Sequence, residues 1–338
     1  MKVLLTGGAG YIGSHSLVEV LKADHDVMVF DNFSKASPEA LARVKRLTNK
    51  DFETVQGDIT DRVQITKALE SFQPDVVIHF AGLKAVGESV EQPIDYYETN
   101  VFGTTQLLRA MEKTGCNKIV FSSTATVYGT PQYLPYNEEH PLMPESPYAR
   151  SKLMVENIIA DWNIAKPETT GVILRYFNPV GAHESSEIGE DPQGYPNNLM
   201  PFVQQVAIGK RPFLHVHGND YKTVDGTGVR DYIHIEDLAH AHLDAVNFAQ
   251  TAKGTHRFNI GTGRGYSVLE VVNAFKNASG KEVPFQIGPR RAGDIAEMAA
   301  DPSKAEKQLG WKAKRGIDDM CKTAWAFQSK NPDGYLKK

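Results

Sequence analysis

The chain has 338 residues, 41 % of them hydrophobic, enough for a sizeable core and for two lobes. Its 37 basic and 41 acidic side chains give a formal net charge of −4, and the two signs are interspersed, so charge offers no case for nucleic acid or an anionic membrane as partner. No run approaches the roughly 20 apolar residues that span a bilayer, and the opening MKVLLTGGAG is too short an apolar stretch for a signal peptide. The two cysteines, Cys116 and Cys321, form no CxxC pair and read as small buried residues, which with the missing signal places the chain in the cytoplasm.

In chain order, short apolar runs alternate with amphipathic segments. Strands are expected at 2–5, 27–30, 76–80 and 118–122, and helices at 11–22, 38–47, 61–71 and 93–114. Continuous apolar strands separated by helices imply a parallel sheet covered on both faces. Beyond residue 177 the character changes: 183–196 and 219–231 read as polar loops, with helices at 235–249, 268–278 and 317–328. The expected fold is α/β: a Rossmann-type doubly wound parallel sheet over residues 1–177, and a smaller mixed α/β substrate lobe over 178–338. The chain is expected to cross between the lobes more than once.

Gly7, Gly10 and Gly13 lie at three-residue spacing directly after the first strand and open the first helix. Glycine permits the tight turn and lets the backbone approach a pyrophosphate, whose charge the free N–H groups and the helix dipole hold. Asp31 ends the second strand, 18 residues after Gly13. A carboxylate there accepts from ribose hydroxyls and repels a 2′-phosphate, which favours NAD over NADP. Asp58 ends the third strand and is placed either to meet the adenine amino group or to serve as a turn residue.

Tyr148 and Lys152 stand four apart at the start of an amphipathic helix and so share a face. A neighbouring ammonium favours phenolate; lysine alone cannot bring the phenol to neutrality, but in a partly desolvated cleft beside a positively charged nicotinamide the pair would make a general base. Thr124 closes the strand at 118–122, where strand ends face the ligand crevice, so its hydroxyl is placed to bind the oxygen that Tyr148 deprotonates. His240 and His242 lack metal-site spacing and read as a solvated helix face.

The glycine loop, the strand-end hydroxyl and the Tyr–Lys pair, in this order, resemble the extended short-chain dehydrogenase/reductase family. Phe80-Ala-Gly-Leu-Lys84-Ala-Val-Gly-Glu-Ser89, Arg175-Tyr-Phe-Asn-Pro-Val-Gly181, Pro196-Asn-Asn-Leu-Met-Pro201, Gly228-Val-Arg-Asp-Tyr-Ile-His234 and Pro289-Arg-Arg-Ala-Gly-Asp294 look like segments of its UDP-hexose 4-epimerase branch. The resemblance implies inversion at C4 of a UDP-hexose through a transient 4-keto sugar and a retained NAD. It implies NAD contacts from Tyr11, Ile12, Asp31, Asn32, Asp58, Ile59, Phe80, Ala81, Lys84, Tyr148 and Lys152. Thr99, where members often carry Asn, would join them, and Phe177 would lie by the nicotinamide. Lys84, Thr124, Tyr148, Asn178, Asn198, Leu199, His215, Val216 and His217 would line the substrate site, Arg230 and Arg291 would grip the diphosphate, and Asp294 would accept a ribose-side or uracil-side hydrogen bond. Met298 holds a gate beside the sugar where Tyr restricts and a small residue admits N-acetylated hexoses; methionine leaves that choice open. A homodimer through the helices around 93–113 and 148–161 is also implied. Related dehydratases place acids after the catalytic Thr, but Ala125 and Thr126 stand there in this chain, and a scaffold without activity would not need both Tyr148 and Lys152.

Overall fold

Strands β1 (Lys2–Thr6), β2 (Asp26–Asp31), β3 (Glu53–Gln56), β4 (Val76–His79), β5 (Lys118–Thr124) and β6 (Thr170–Tyr176) lead, past the short β7 (Asn178–Val180), β8 (Leu214–His217) and β9 (Val229–His234), to β10 (Gly254–Ile260). The computed structural model describes residues 1–192, 194, 196, 198–291 and 294–335. Gln193 and Tyr195 of the expected loop, and Asn197, Ala292 and Gly293 of the motifs quoted above, lie outside the described residues. The main sheet has the order β10-β6-β5-β4-β1-β2-β3, and every pair in it is parallel.

Both faces of this sheet are covered, which is why β1 and β4 read as unbroken apolar runs. Val3 and Leu5 turn to one side, against helices Tyr11–Lys22, Pro38–Thr48 and Ile235–Phe248. Leu4 turns to the other, against Arg62–Phe72, Gly103–Thr114 and Pro147–Ala165. Each such fully buried side chain contributes about 2 kcal/mol. The order reverses between β1 and β4, and ligands of such sheets bind beyond the strand ends at that point.

The helix expected at 93–114 is three pieces: Pro93–Tyr96, a π-helical turn at Tyr97–Phe102, and Gly103–Thr114. The wider turn swings Asn100 inward while Gly103 packs so closely that a Cβ would sit 2.7 Å from Ile59. The stretch expected to be loop at 219–231 ends in β9, whose strand character was masked by Arg230 and Asp231. Asp231 is buried because its carboxylate accepts from the amides of Thr262, Gly263 and Ala300.

The second lobe adds β11 (Gly265–Ser267), β12 (Phe285–Gly288) and β13 (Glu297–Met298). A sheet of order β11-β9-β13, with β7 also on β9, packs with helices Leu199–Ala207, Val268–Ser279 and Ile317–Lys330 around a separate core that includes Val203, Val271, Phe275 and Met320. After residue 177 the chain returns to the main sheet, giving it β10 and the helix Ile235–Phe248. Among the described residues no helix is long and apolar enough to cross a membrane.

His242 corrects the expectation of a solvated helix face. It is fully buried, with Nδ1 2.9 Å from the Leu238 carbonyl, Nε2 3.3 Å from the Ser122 hydroxyl, and its ring 4.8 Å from that of Phe80. His240 stays at the surface, 3.2 Å from Glu19. Among the described residues no cluster of His, Cys, Asp and Glu could hold a metal ion.

Candidate active site

The glycine loop is shaped by contact on both sides. Gly7 has φ of +70°, and a Cβ there would lie 2.6 Å from the Ala81 nitrogen. A Cβ on Gly13 would lie 2.4 Å from the Gly7 carbonyl, whereas one on Gly10 would meet only that oxygen, at 3.4 Å. The loop is thus pinned at Gly7 and Gly13 and open at Gly10, where the helix Tyr11–Lys22 begins without a side-chain cap. Its dipole and uncapped first turn face the cavity, a ready anion site.

Asp31 secures this loop. Its carboxylate accepts from the Ala9 amide at 3.0 Å and the Phe33 amide at 2.8 Å. Burial raises its pKa above the ordinary value despite those two donors. Each oxygen keeps a further lone pair for a ribose hydroxyl. Asn32 donates to Asp58 at 2.9 Å, and Asp58 also accepts from the Thr60 amide and hydroxyl. Asp58 is therefore a turn residue; the cap of the following helix is Asp61.

A cavity of about 480 Å³ opens at the strand ends. Gly7, Gly10, Tyr11, Ile12, Gly13, Asp31, Asn32, Ile59, Phe80, Ala81, Lys84, Thr99, Tyr148 and Lys152 all line it. That volume and a pinned glycine loop at one end suit an extended dinucleotide. Two expected members stand apart. Asp58 reaches the cavity only through Asn32, and Phe177 is buried behind it with Tyr136 and Met298.

Thr124 and Tyr148 meet, and Lys152 lies on the same helix as Tyr148. Thr124 ends β5, caps the 3₁₀ turn Ala125–Tyr128 and hydrogen-bonds Tyr148. Lys152 follows one turn after Tyr148 on the helix Pro147–Ala165, capped by Ser146. The expected acidification of the phenol is not what the residues alone produce. Burial pushes Tyr148 up to about 12, with only Thr124 pulling it down. Lys152 donates to the Ser122 carbonyl at 2.9 Å with its ammonium 4.8 Å above the Phe121 ring, and burial lowers it to about 8. A second cation beside the ring is needed to bring the phenol toward neutrality.

The substrate candidates fall into two groups. Asp294 accepts from Arg291 at 2.9 and 3.1 Å and lies 4.0 Å from Arg230, so the three form one charged cluster. Met298 is paired in register with Arg230 and buried against Ala125 and Phe177, which carries the cluster toward Thr124. Asn198 donates to Glu190, which also holds Lys84 at 3.4 Å, and Leu199 begins the helix after Asn198. Asn178 is exposed in β7. His215 and His217 project from one side of β8, their rings 6.5 Å apart. Val216 departs from expectation: it alternates to the other side, into the lobe core, and only its main chain is left for a ligand.

Several lining residues escaped sequence reasoning. Tyr176, Glu190, Asp191 and Tyr335 border the cavity, and Asn100 grips the Leu83 amide and carbonyl at 2.7 and 3.0 Å. None sits in a local pattern that marks it.

Fold and site together define a nucleotide-dependent enzyme of the extended short-chain dehydrogenase/reductase class, and residues 4–324 match the family model described as GDP-mannose 4,6 dehydratase. A UDP-glucose 4-epimerase of Bacillus subtilis (strain 168) is 54 % identical over 335 residues, covering 99 % of both chains. That of Homo sapiens is 51 % identical over 341 residues, covering 99 % of this chain and 98 % of its own. The crystal structure of UDP-glucose 4-epimerase from Bifidobacterium longum in complex with NAD⁺ and UDP superposes with a TM-score of 0.96 at 50 % identity, covering 99 % of this chain and 100 % of that one. The chain belongs to the UDP-glucose 4-epimerase family.

Proposed function

We propose that this chain interconverts UDP-galactose and UDP-glucose. The observation that carries the reading is the meeting of Tyr148 and Lys152 in a cavity entered by the glycine loop, with Thr124 hydrogen-bonded to Tyr148 from the end of β5, in a chain 54 % identical to an epimerase over nearly its whole length. The glycine loop, Asp31, Asn32, Ile59, Phe80, Ala81, Lys84 and Thr99 would hold NAD, which when bound would supply the acceptor and donor for the hydride of C4. Tyr148 removes the proton of the 4-hydroxyl, and Thr124 holds the same oxygen. Lys152 keeps a cation near the phenol. The resulting 4-keto sugar turns about its diphosphate and presents its other face, and Tyr148 gives the proton back.

Such a turn requires a firmly held nucleotide and a loosely held hexose. The Arg230, Arg291 and Asp294 cluster supplies the firm end, with planar forks suited to a diphosphate. Met298 beside Phe177 sets the room for the sugar, and a flexible thioether leaves space for an N-acetyl group open. Elimination of water, the reaction the family model's description names, needs an acid beside Thr124; Ala125 is buried there and Thr126 only hydrogen-bonds the Thr124 hydroxyl. Incubating the purified chain with the four UDP-hexoses tests the reading: UDP-galactose must yield UDP-glucose. Failure to convert it refutes the proposal.

The division of labour we propose follows the topology: residues 1–177 with the returning segment 235–260 carry the dinucleotide, and the rest binds the UDP-sugar and closes the outer wall of the dinucleotide cavity. The working form is a homodimer in the cytoplasm. Val90, on the short helix Val86–Glu91, and Ile94, Phe102 and Met154, on the neighbouring helical segments named above, are exposed apolar residues suited to isologous pairing. Sedimentation velocity should find a dimer and Ile94→Asp a monomer; a wild-type monomer would contradict this.

A further inference from the structure

The sheet supplies only one wall of the dinucleotide cavity. The opposite wall is Gly189, Glu190, Asp191, Pro192 and Tyr335, none of them in a strand. This wall is fastened from outside. The Tyr335 hydroxyl accepts from the Gly189 amide and donates to the Gly189 carbonyl, both at 3.0 Å, and its own amide donates to Asp191 at 2.9 Å. Its ring lies 5.7 Å from that of Phe327 and 5.0 Å beneath the Arg43 guanidinium. Arg43 does not line the cavity. It reaches across from the helix Pro38–Thr48 to donate to the Glu187 carbonyl at 2.9 Å and the Asn331 side chain at 2.6 Å. Asn331 in turn donates to the Ser186 carbonyl at 3.1 Å. Segments far apart in sequence are tied at this one place, over the ligand.

We propose that Arg43 and Tyr335 are the catch of a strap formed by residues 183–192, and that a bound dinucleotide leaves only when this catch opens. The inference rests on the dinucleotide reading above. Its use follows from the chemistry: a hydride removed and returned to the same sugar is lost if the carrier departs between the two transfers. Arg43 and Tyr335 act as positioning residues, through the strap, on the lifetime of the complex.

The test measures exchange. Wild type, Arg43→Gln, Tyr335→Phe and Arg46→Gln are loaded with NAD, and replacement by isotopically labelled NAD is followed at a temperature where all remain folded by circular dichroism. Tyr335→Phe removes one oxygen and the two hydrogen bonds it makes with Gly189, so exchange should speed up about thirtyfold. Arg43→Gln should speed it further. Arg46, on the same helix, shares Glu39 with Arg43 but makes no hydrogen bond to the strap, so Arg46→Gln should speed exchange far less than Arg43→Gln. Wild-type exchange rates in both Tyr335→Phe and Arg43→Gln overturn the catch, as does equal acceleration by Arg46→Gln. If Arg43→Gln does not fold, Tyr335→Phe decides. A wild-type chain that takes up no NAD overturns the functional reading, and the catch with it.

Discussion

Tyr148→Phe should lower turnover of UDP-galactose by about 10³-fold while leaving bound NAD and UDP affinity near their wild-type values, since a positioned acid–base group contributes about 10²–10⁴-fold. The ring stays in place because it is buried, with its edge on Tyr96 at 6.5 Å, and the phenylalanine keeps that packing. What disappears is the proton carrier. Burial raises the phenol to about 12, so it is protonated at neutral pH. Positive charge beside the ring must offset this, and Lys152 at about 8 is the cation that the chain itself brings. Lys152→Met should therefore move the pH profile of turnover to higher pH, where Tyr148→Phe should flatten it. Wild-type turnover in Tyr148→Phe would remove the base from the mechanism.

Stability should collapse as pH falls from about 6.5 toward 5. Burial lowers seven histidines, His25 and His217 among them, and five of them far: His15, His79 and His234 to about 3, His183 and His242 to about 4. Their folded pKa values lie below the unfolded value near 6.5, so the unfolded chain takes up protons first. Stability is fully present above that unfolded value and is lost as pH drops through it. Each histidine costs up to about 1.4 kcal/mol per pH unit, so five approach the entire stability of an ordinary domain within one to two units. Carboxyls raised by burial, such as Asp231 and Glu236, act in the opposite sense and reduce the sum. Urea midpoints measured at pH 7.5 and 5.5 check this: a large drop is expected, and equal midpoints would contradict it. His242→Phe, which removes one of the five, should flatten the profile.

The parts of the site that were legible are those written in local spacing. The glycine loop, Asp31 at the end of β2, and Tyr148 with Lys152 are each fixed by a turn or a helical repeat, so their residue numbers suffice. Period-two alternation likewise marks β8, although the role implied for Val216 ignored which side that alternation gives it. What sequence could not show depends on long-range packing. His242 sits among residues that read as a solvated helix, yet Phe80 and Ser122 from two other strand ends enclose it. Glu190 ties Lys84 to Asn198 across more than a hundred residues, and Tyr335 closes a wall begun at Gly189. The i, i+4 spacing of Tyr148 and Lys152 marks the pair but not its hydrogen bonds: the backbone carbonyl of Ser122 accepts from the lysine.

The most direct test follows deuterium placed on C4 of UDP-galactose through conversion by the purified chain. A hydride removed and handed back within one complex predicts UDP-glucose with the deuterium still on C4, and no net accumulation of reduced dinucleotide. Deuterium lost to water, or reduced NAD released in proportion to product, would contradict the account.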